Sequence, residues 1–198
     1  MPRAPRNTQL GYAYHVINRG NGQAKVFHQP QDYEVFLDLL VAARQRQPFK
    51  LFAFCLMPNH FHLVVEPETT PALSRFMQWL MTTHVRRYHK YYESSGHIWQ
   101  GRFKSFPIQL DGHLLIVQRY VRQNPVRAGL VTNEEQWPWS SVTRSDLVDR
   151  SPIENSDKID SLSTVQIQEL RECVNRQRPF GSLEWRRTVG LKGDRQLF

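Results

Sequence analysis

Two histidines separated by one residue, His60 and His62, are the residues whose types and spacing most directly suggest chemistry. Side chains alternate across an extended strand, so both imidazoles would lie on one face of a strand that begins at His60. Neutral imidazoles bind divalent metals, and two of them on a rigid strand leave coordination positions open for water or substrate. The spacing by itself is a weak signal, because two structural histidines would give the same pattern, and both interpretations stay open.

A second candidate group lies at the end of a helix predicted at about residues 112–123. Tyr120 belongs to this helix and Asn124 follows it, and residues four apart are neighbours on a helix surface. If the helix packs on the sheet face that carries the histidines, Tyr120 comes near the imidazoles and Asn124 can serve as a third metal ligand. The alternative is that Tyr120 is a packing aromatic and Asn124 caps the turn at Pro125.

The elements that must position these groups follow the order strand, helix, strand, strand, helix, strand, helix. Apolar, aromatic and β-branched runs predict strands at residues 11–18, 49–55, 60–66 and 105–110. Helical spacing of apolar residues predicts helices at residues 32–46, 71–92 and 112–123. This order predicts an α+β fold, an α/β sandwich in which helices pack on a ferredoxin-like, mainly antiparallel sheet.

Composition divides the chain into three predicted segments. Residues 1–143 contain all of these elements and form the predicted main domain. Between residues 145 and 162 five acids face two bases, and we predict an acidic linker over residues 144–163. Residues 164–198 are predicted to form a C-terminal helix and a basic tail.

The charge balance favours a polyanionic partner. The chain has a net charge of +8 and an isoelectric point near 9.8, and nucleic acid is the commonest partner of such proteins. Between residues 75 and 104 six basic residues face one acid, with tyrosines interleaved among them. Cations beside stacking faces suit single-stranded nucleic acid. The alternative is a solvated helix whose last turn favours cations through the helix dipole.

Other features bear on the cellular setting. No apolar run approaches the roughly 20 residues that span a bilayer, and the basic start of the chain has no apolar segment typical of a secretory signal. Two cysteines are too few for a disulfide framework and fit a reducing compartment. We therefore expect a cytoplasmic protein without membrane contact.

Three motifs, taken together, resemble one known family. They are MPNHFHL at residues 57–63, WQGRF at residues 99–103 and YVRQNPVRAG at residues 120–129. In this order they are similar to the REP-associated tyrosine transposases, which are single-domain relatives of single-strand insertion-sequence transposases and carry an HUH motif (U is hydrophobic). The resemblance covers about residues 12–141, and residues 178–187 are similar to the tail of the same family.

The resemblance implies a metal-dependent enzyme that nicks and transfers DNA through a 5′-phosphotyrosine. Its implied substrate is single-stranded or hairpin DNA of repetitive extragenic palindromes. Tyr120 matches the nucleophile, His60 and His62 match the metal ligands, and Asn124 stands where the metal site is completed. The implied ion is Mg²⁺ or Mn²⁺. A monomer is favoured and a dimer stays open.

Basic residues and one glycine are the predicted DNA contacts. The set is Arg19, Gly20, Lys25, Arg86, Arg87, Arg102, Lys104, Arg122 and Arg127. Two other classes of function stay open. One is a sequence-specific binder of DNA hairpins without cutting activity, for example an autorepressor. The other is a metal-dependent phosphodiester hydrolase that uses the histidine pair and a water.

Overall fold

A four-stranded antiparallel sheet organises the chain. A computed structural model describes residues 9–153 and 161–193. The strands are β1 (Ala13–Arg19), β2 (Phe49–Met57), β3 (His60–Pro67) and β4 (Lys104–Ile108), and their order across the sheet is β2-β3-β1-β4. Neighbouring strands all run antiparallel. The predicted ferredoxin-like α+β fold is confirmed.

Two layers of helices cover the sheet. The helices are α1 (Pro30–Arg46), α2 (Ala72–Tyr92), α3 (Gly112–Arg122), the short α4 (Asn124–Arg127), α5 (Thr164–Arg176) and α6 (Leu183–Gly193). The last of these was not predicted, because its apolar residues do not form a clear helical stripe. None of the helices in the described ranges is both long enough and apolar enough to cross a bilayer.

Alternation along the strands separates two apolar cores. Phe61, Leu63 and Val65 of β3 pack with α1 and α2, as the alternating pattern predicted. Val64 points to the other face and joins a core that includes Leu114 of α3. Each buried side chain of this size contributes roughly 1.5–3 kcal/mol, so both faces of the sheet are firmly held.

The strand register decides which side chains meet beside the histidines. His60 lies opposite Arg19 and His62 lies opposite Ile17. On the other side of β1, Ile17 lies opposite Lys104. Opposed residues of antiparallel strands point to the same face, so the face that presents the two histidines also receives Arg19 and Lys104.

Segments of the same chain cover both edges of the sheet. On β2, the amide of Leu56 donates to the carbonyl of Trp139 at 2.9 Å, and the amide of Ser141 donates to the carbonyl of Phe54 at 2.9 Å. On β4, the amide of Phe180 donates to the carbonyl of Pro107 at 3.0 Å. The backbone groups that an edge strand would offer to a partner are therefore used internally along these stretches.

The segment predicted as an acidic linker packs on the sheet over its first part. The carboxylate of Asp149 accepts hydrogen bonds from Arg44 at 2.6 Å and from the Leu51 amide at 2.7 Å. Beyond the gap, Leu170 of α5 is fully buried in the core beneath α3. The boundaries at residues 143 and 163 stay predictions, and residues 154–160 lie outside the described residues, as do 1–8 and 194–198.

Candidate active site

A cavity of about 630 Å³ opens on the face of the sheet that presents the histidines. Strand residues Asn18, Arg19, His60, His62 and Lys104 line it, together with Gln100, Gly101, Arg102, Phe103, Tyr120, Asn124, Val174, Asn175 and Gln177. The wall therefore combines the sheet, the segment before β4, the end of α3 and the end of α5. All four residues predicted for the catalytic and metal site lie on this one cavity.

The distances match the geometry expected from the sequence. The ring centroids of His60 and His62 are 5.0 Å apart, and those of His62 and Tyr120 are 6.2 Å apart. Tyr120 is only 7% exposed. The phenol of a late helix is thus held beside the imidazoles of an earlier strand, while the chemical roles of these residues stay predictions.

Burial keeps both imidazoles neutral. Loss of water and, to a smaller extent, the nearby Arg19 lower the pKa of His60 from 6.5 to about 4. The pKa of His62 lies well below its usual value, chiefly through burial and then through the neighbouring His60 and His15. A neutral imidazole has one ring nitrogen with a free lone pair, which is the form that a metal binds.

Asn59 determines which nitrogen of His60 carries the proton. The Nδ1 atom of His60 lies 2.6 Å from Oδ1 of Asn59. Nδ2 of Asn59 donates to the carbonyl of Gln23 at 3.0 Å, which fixes the orientation of the amide. Because an amide oxygen only accepts, Nδ1 of His60 carries the hydrogen and Nε2 holds the lone pair.

His62 has a different neighbour, and the sequence analysis missed it. Nδ1 of His62 lies 2.9 Å from Nε2 of His15, a residue of β1 that is 0% exposed. Nε2 is therefore the His62 nitrogen left for the cavity. The available signal was a lone histidine inside an apolar strand, but only the register between β1 and β3 makes it a neighbour of His62.

Arg127 joins Tyr120 to Asn124. Its guanidinium carbon lies 3.9 Å from the centre of the Tyr120 ring, and its Nη2 donates to the Tyr120 carbonyl and to Oδ1 of Asn124, both at 2.7 Å. Burial lowers the pKa of Arg127. Sequence reasoning placed this arginine among the DNA contacts, whereas the structure directs its guanidinium onto the two site residues. Its role as a DNA contact stays a prediction.

The donor set fits a divalent metal. In His60 and His62 the Nδ1 atom contacts a protein neighbour, and Nε2 points away from that neighbour. Oδ1 of Asn124 has a second lone pair besides the one that accepts the hydrogen bond from Arg127. Nδ2 of Asn124 is buried without a hydrogen-bond partner among the described residues. In those parts of the chain no group of three or more His, Cys, Asp or Glu side chains could hold an ion. Two imidazoles and one amide are thus the available protein ligands.

The other basic residues predicted as DNA contacts divide into two groups. Arg19, Arg102 and Lys104 line the cavity. Lys25, Arg86, Arg87 and Arg122 do not line it, and Arg86 and Arg87 are exposed on α2 in the opposite helix layer. Gly20 has a structural explanation, because a Cβ there would lie 2.2 Å from the carbonyl oxygen of Ala24.

Known proteins resemble this chain in sequence and in fold. Residues 8–124 match the family model described as "Transposase IS200 like". A protein of Haemophilus influenzae, provisionally assigned as a REP-associated tyrosine transposase, is 32% identical over 111 residues. The match spans 50% of this chain and 62% of that protein.

A solved structure, described as a REP-associated tyrosine transposase bound to a REP hairpin, superposes with a TM-score of 0.56. It is 17% identical and covers 83% of this chain and 100% of the other, which supports the fold. The family model covers more than half of the chain and includes both histidines, Tyr120 and Asn124. The resemblance noted from the three motifs is thereby confirmed, and the chain belongs to the family of IS200-like transposases.

Proposed function

We propose that this chain nicks and transfers single-stranded or hairpin DNA of repetitive extragenic palindromes through a 5′-phosphotyrosine at Tyr120. The observation that carries this proposal is the position of the Tyr120 ring, 6.2 Å from the His62 ring, on a cavity lined by three cations. The solved structure with the same fold is described as bound to a REP hairpin, which supports the choice of substrate.

The proposed reaction exchanges one phosphoester for another. The Tyr120 hydroxyl gives up its proton to water and its oxygen bonds to phosphorus, while the bond from phosphorus to the 3′ oxygen of the preceding nucleotide breaks. That 3′ oxygen takes a proton from water and leaves as a hydroxyl. No nucleotide triphosphate is needed, and the reverse reaction joins the strand to a new 3′ end. Arg127 holds the ring of Tyr120 and the amide of Asn124 in fixed positions, so the nucleophile is oriented before substrate arrives.

His60, His62 and Asn124 are the residues proposed to hold a divalent ion, either Mg²⁺ or Mn²⁺. When bound, the ion supplies Lewis acidity at the scissile phosphate. Imidazole nitrogens are softer than the oxygen ligands that Mg²⁺ prefers. Arg19, Arg102 and Lys104 lie around the same cavity and would bind the phosphates on either side of the scissile bond.

We also propose that a single chain provides the complete site. Tyr120, Asn124 and the two histidines all line one cavity of one chain, so no residue from a second copy is required. This supports a monomer that acts with its own tyrosine.

A covalent-adduct assay tests the proposal. The substrate is a REP-type hairpin with a single-stranded 5′ extension and a fluorophore at its 3′ end, because the fragment downstream of the nick stays on the protein. We expect a labelled band on denaturing gels for the native chain and none for Tyr120→Phe. Tyr33→Phe is the matched control, since Tyr33 is similarly buried but packs on Trp139 in the opposite layer.

The same assay separates the rival functions. A hydrolase would shorten the DNA without an adduct, and a DNA binder would shift the hairpin on native gels without cutting it. An adduct that persists in Tyr120→Phe would assign the nucleophile elsewhere. Loss of the adduct in His60→Ala and His62→Ala, with hairpin binding retained, is the expected result for the metal ligands.

A further inference from the structure

We propose that His15 is a positioning residue that makes His62 a conditional metal ligand, whereas His60 is a constitutive one. The inference rests on the proposed metal site and concerns how this chain prepares it. Without metal, the hydrogen of His62 would reside on Nε2, facing the cavity. Metal binding would select the other tautomer, in which Nδ1 of His62 donates to His15.

Within residues 9–153 and 161–193, His15 has one hydrogen-bonding neighbour. Its Nε2 atom is 2.9 Å from Nδ1 of His62, and the two rings stack at 5.1 Å with an interplanar angle of 28°. The edge of Phe106 packs at 5.0 Å. Nδ1 of His15 is buried and has no hydrogen-bond partner among the described residues. His15 is 0% exposed and packs against Phe106, and such burial favours the neutral ring.

Two neutral rings in this contact allow two arrangements. In the first, His15 Nε2–H donates to His62 Nδ1, the His62 hydrogen lies on Nε2, and His15 Nδ1 is a bare lone pair. In the second, His62 Nδ1–H donates to His15 Nε2, His62 Nε2 has the free lone pair, and His15 Nδ1–H is buried without an acceptor. Only the second arrangement can bind a cation through His62.

The unpaired atom of His15 decides between them. Among backbone groups, buried N–H groups without an acceptor are rarer than carbonyls without a full set of donors, and we apply the same order to the imidazole nitrogens. The metal-free chain therefore favours the first arrangement, in which His62 Nε2–H can donate to a phosphate oxygen. A metal ion favours the second arrangement, because it needs the lone pair on His62 Nε2 and because the donated Nδ1–H makes that imidazole a stronger ligand.

The exchange conserves protons. His62 Nε2 releases a proton to cavity water, the proton of His15 Nε2 crosses to His62 Nδ1, and His15 Nδ1 takes a proton from water during a transient opening. His60 has no such choice, because Oδ1 of Asn59 only accepts hydrogen bonds. His60 therefore has its Nε2 lone pair available with or without the ion, whereas His62 changes its tautomer when the ion binds.

Nuclear magnetic resonance of the native chain reads the tautomers directly. In ¹⁵N-labelled protein, long-range proton–nitrogen correlations identify the protonated nitrogen of each imidazole. Without metal we expect Nε2–H on His62 and Nδ1–H on His60. On addition of Zn²⁺, a diamagnetic probe that imidazole binds well, the His62 hydrogen moves to Nδ1 while His60 is unchanged. A His62 that already carries Nδ1–H without metal would overturn the proposal.

Variants of His15 test its effect on metal affinity. His15→Phe removes the acceptor, and loss of such an outer partner typically weakens metal binding about 10- to 100-fold. His15→Gln offers an amide oxygen at a similar reach, and we expect it to retain affinity within about threefold of the native chain. The matched control is His84→Phe, because His84 is also buried with an unpartnered Nδ1 but lies in the opposite core layer.

Calorimetry with Mn²⁺ measures these affinities, and circular dichroism checks that each variant is folded. Unchanged affinity in His15→Phe, with the native chain binding Mn²⁺, would refute the role of His15 and leave the metal site intact. If the native chain does not bind Mn²⁺ or Zn²⁺, the proposed metal site fails. The tautomer of His62 in the metal-free spectrum then still decides whether His15 donates to it.

Discussion

Metal binding at this site should resist mild acid, because the two imidazoles are buried and stay neutral. Protons compete with metal for the same lone pairs. With an ordinary pKa of 6.5, each histidine is about 91% neutral at about pH 7.5 and about 24% neutral at about pH 6.0. A site built from two ordinary histidines would therefore lose affinity about 14-fold over this range.

The structure predicts a much smaller change. The pKa of His60 is lowered to about 4 and that of His62 lies well below 6.5, so both remain almost fully neutral at about pH 6.0. We expect the apparent dissociation constant for Zn²⁺ to change less than about twofold. Titration calorimetry at both pH values measures it, with circular dichroism confirming that the protein stays folded.

A peptide with blocked ends and the sequence of residues 57–63 is the matched control, since it holds the same two histidines in water. Its affinity should fall by about the 14-fold computed for exposed imidazoles. A similar fall in the folded protein would refute the argument that burial keeps the pair neutral.

Three further predictions concern single residues. Arg127→Met should slow adduct formation about 100-fold in single-turnover assays while hairpin binding stays close to native, because Tyr120 and Asn124 lose the group that orients them. Burial lowers the pKa of His84 to about 4 in the folded chain, below its unfolded value near 6.5. The stability that the neutral ring contributes is therefore fully present above about pH 6.5 and is lost as the pH falls toward 4. In His84→Phe, the free energy of unfolding measured with urea should change less steeply with pH, by up to about 1.4 kcal/mol per pH unit. Gly20→Ala should destabilise the chain by about 1–3 kcal/mol in the same assay, because its Cβ meets backbone, whereas Gly112→Ala meets no atom within 4 Å and should not.

Local patterns were enough to predict the scaffold of the site. The alternation after His60 gave the correct faces of β3, and the apolar stripe of α3 put Tyr120 on the flank of the helix, next to the side that packs against the sheet. Both inferences use neighbours within a few residues of each other. The predicted and observed ends of the strands agree to within about two residues, because residues such as Pro48 and Asp111 mark clear boundaries between elements.

Contacts between distant segments were beyond sequence reasoning. His15 and His62 are 47 positions apart, and their meeting depends on the pairing offset between β1 and β3. Arg127 looked like one more surface cation, yet the turn at Pro125 folds its guanidinium back over Tyr120. His84 lies next to Arg86 and Arg87 in the sequence, yet its side chain faces the core between α1 and α2.

The covered edges of the sheet limit how two copies of the chain could pair. Proteins that merge their sheets do so by adding a strand from one copy to the free edge of another. Here residues 139–141 already bond to β2, and the segment around Phe180 already bonds to β4. Along these stretches a second copy could extend the sheet by displacing one of the two covering segments, and the segment on β4 follows α5, whose end lines the cavity beside the histidines. Pairing of two sheets at β4 would therefore disturb the wall of the cavity, so the segment around Phe180 links the covered edge of the sheet to the integrity of the candidate active site.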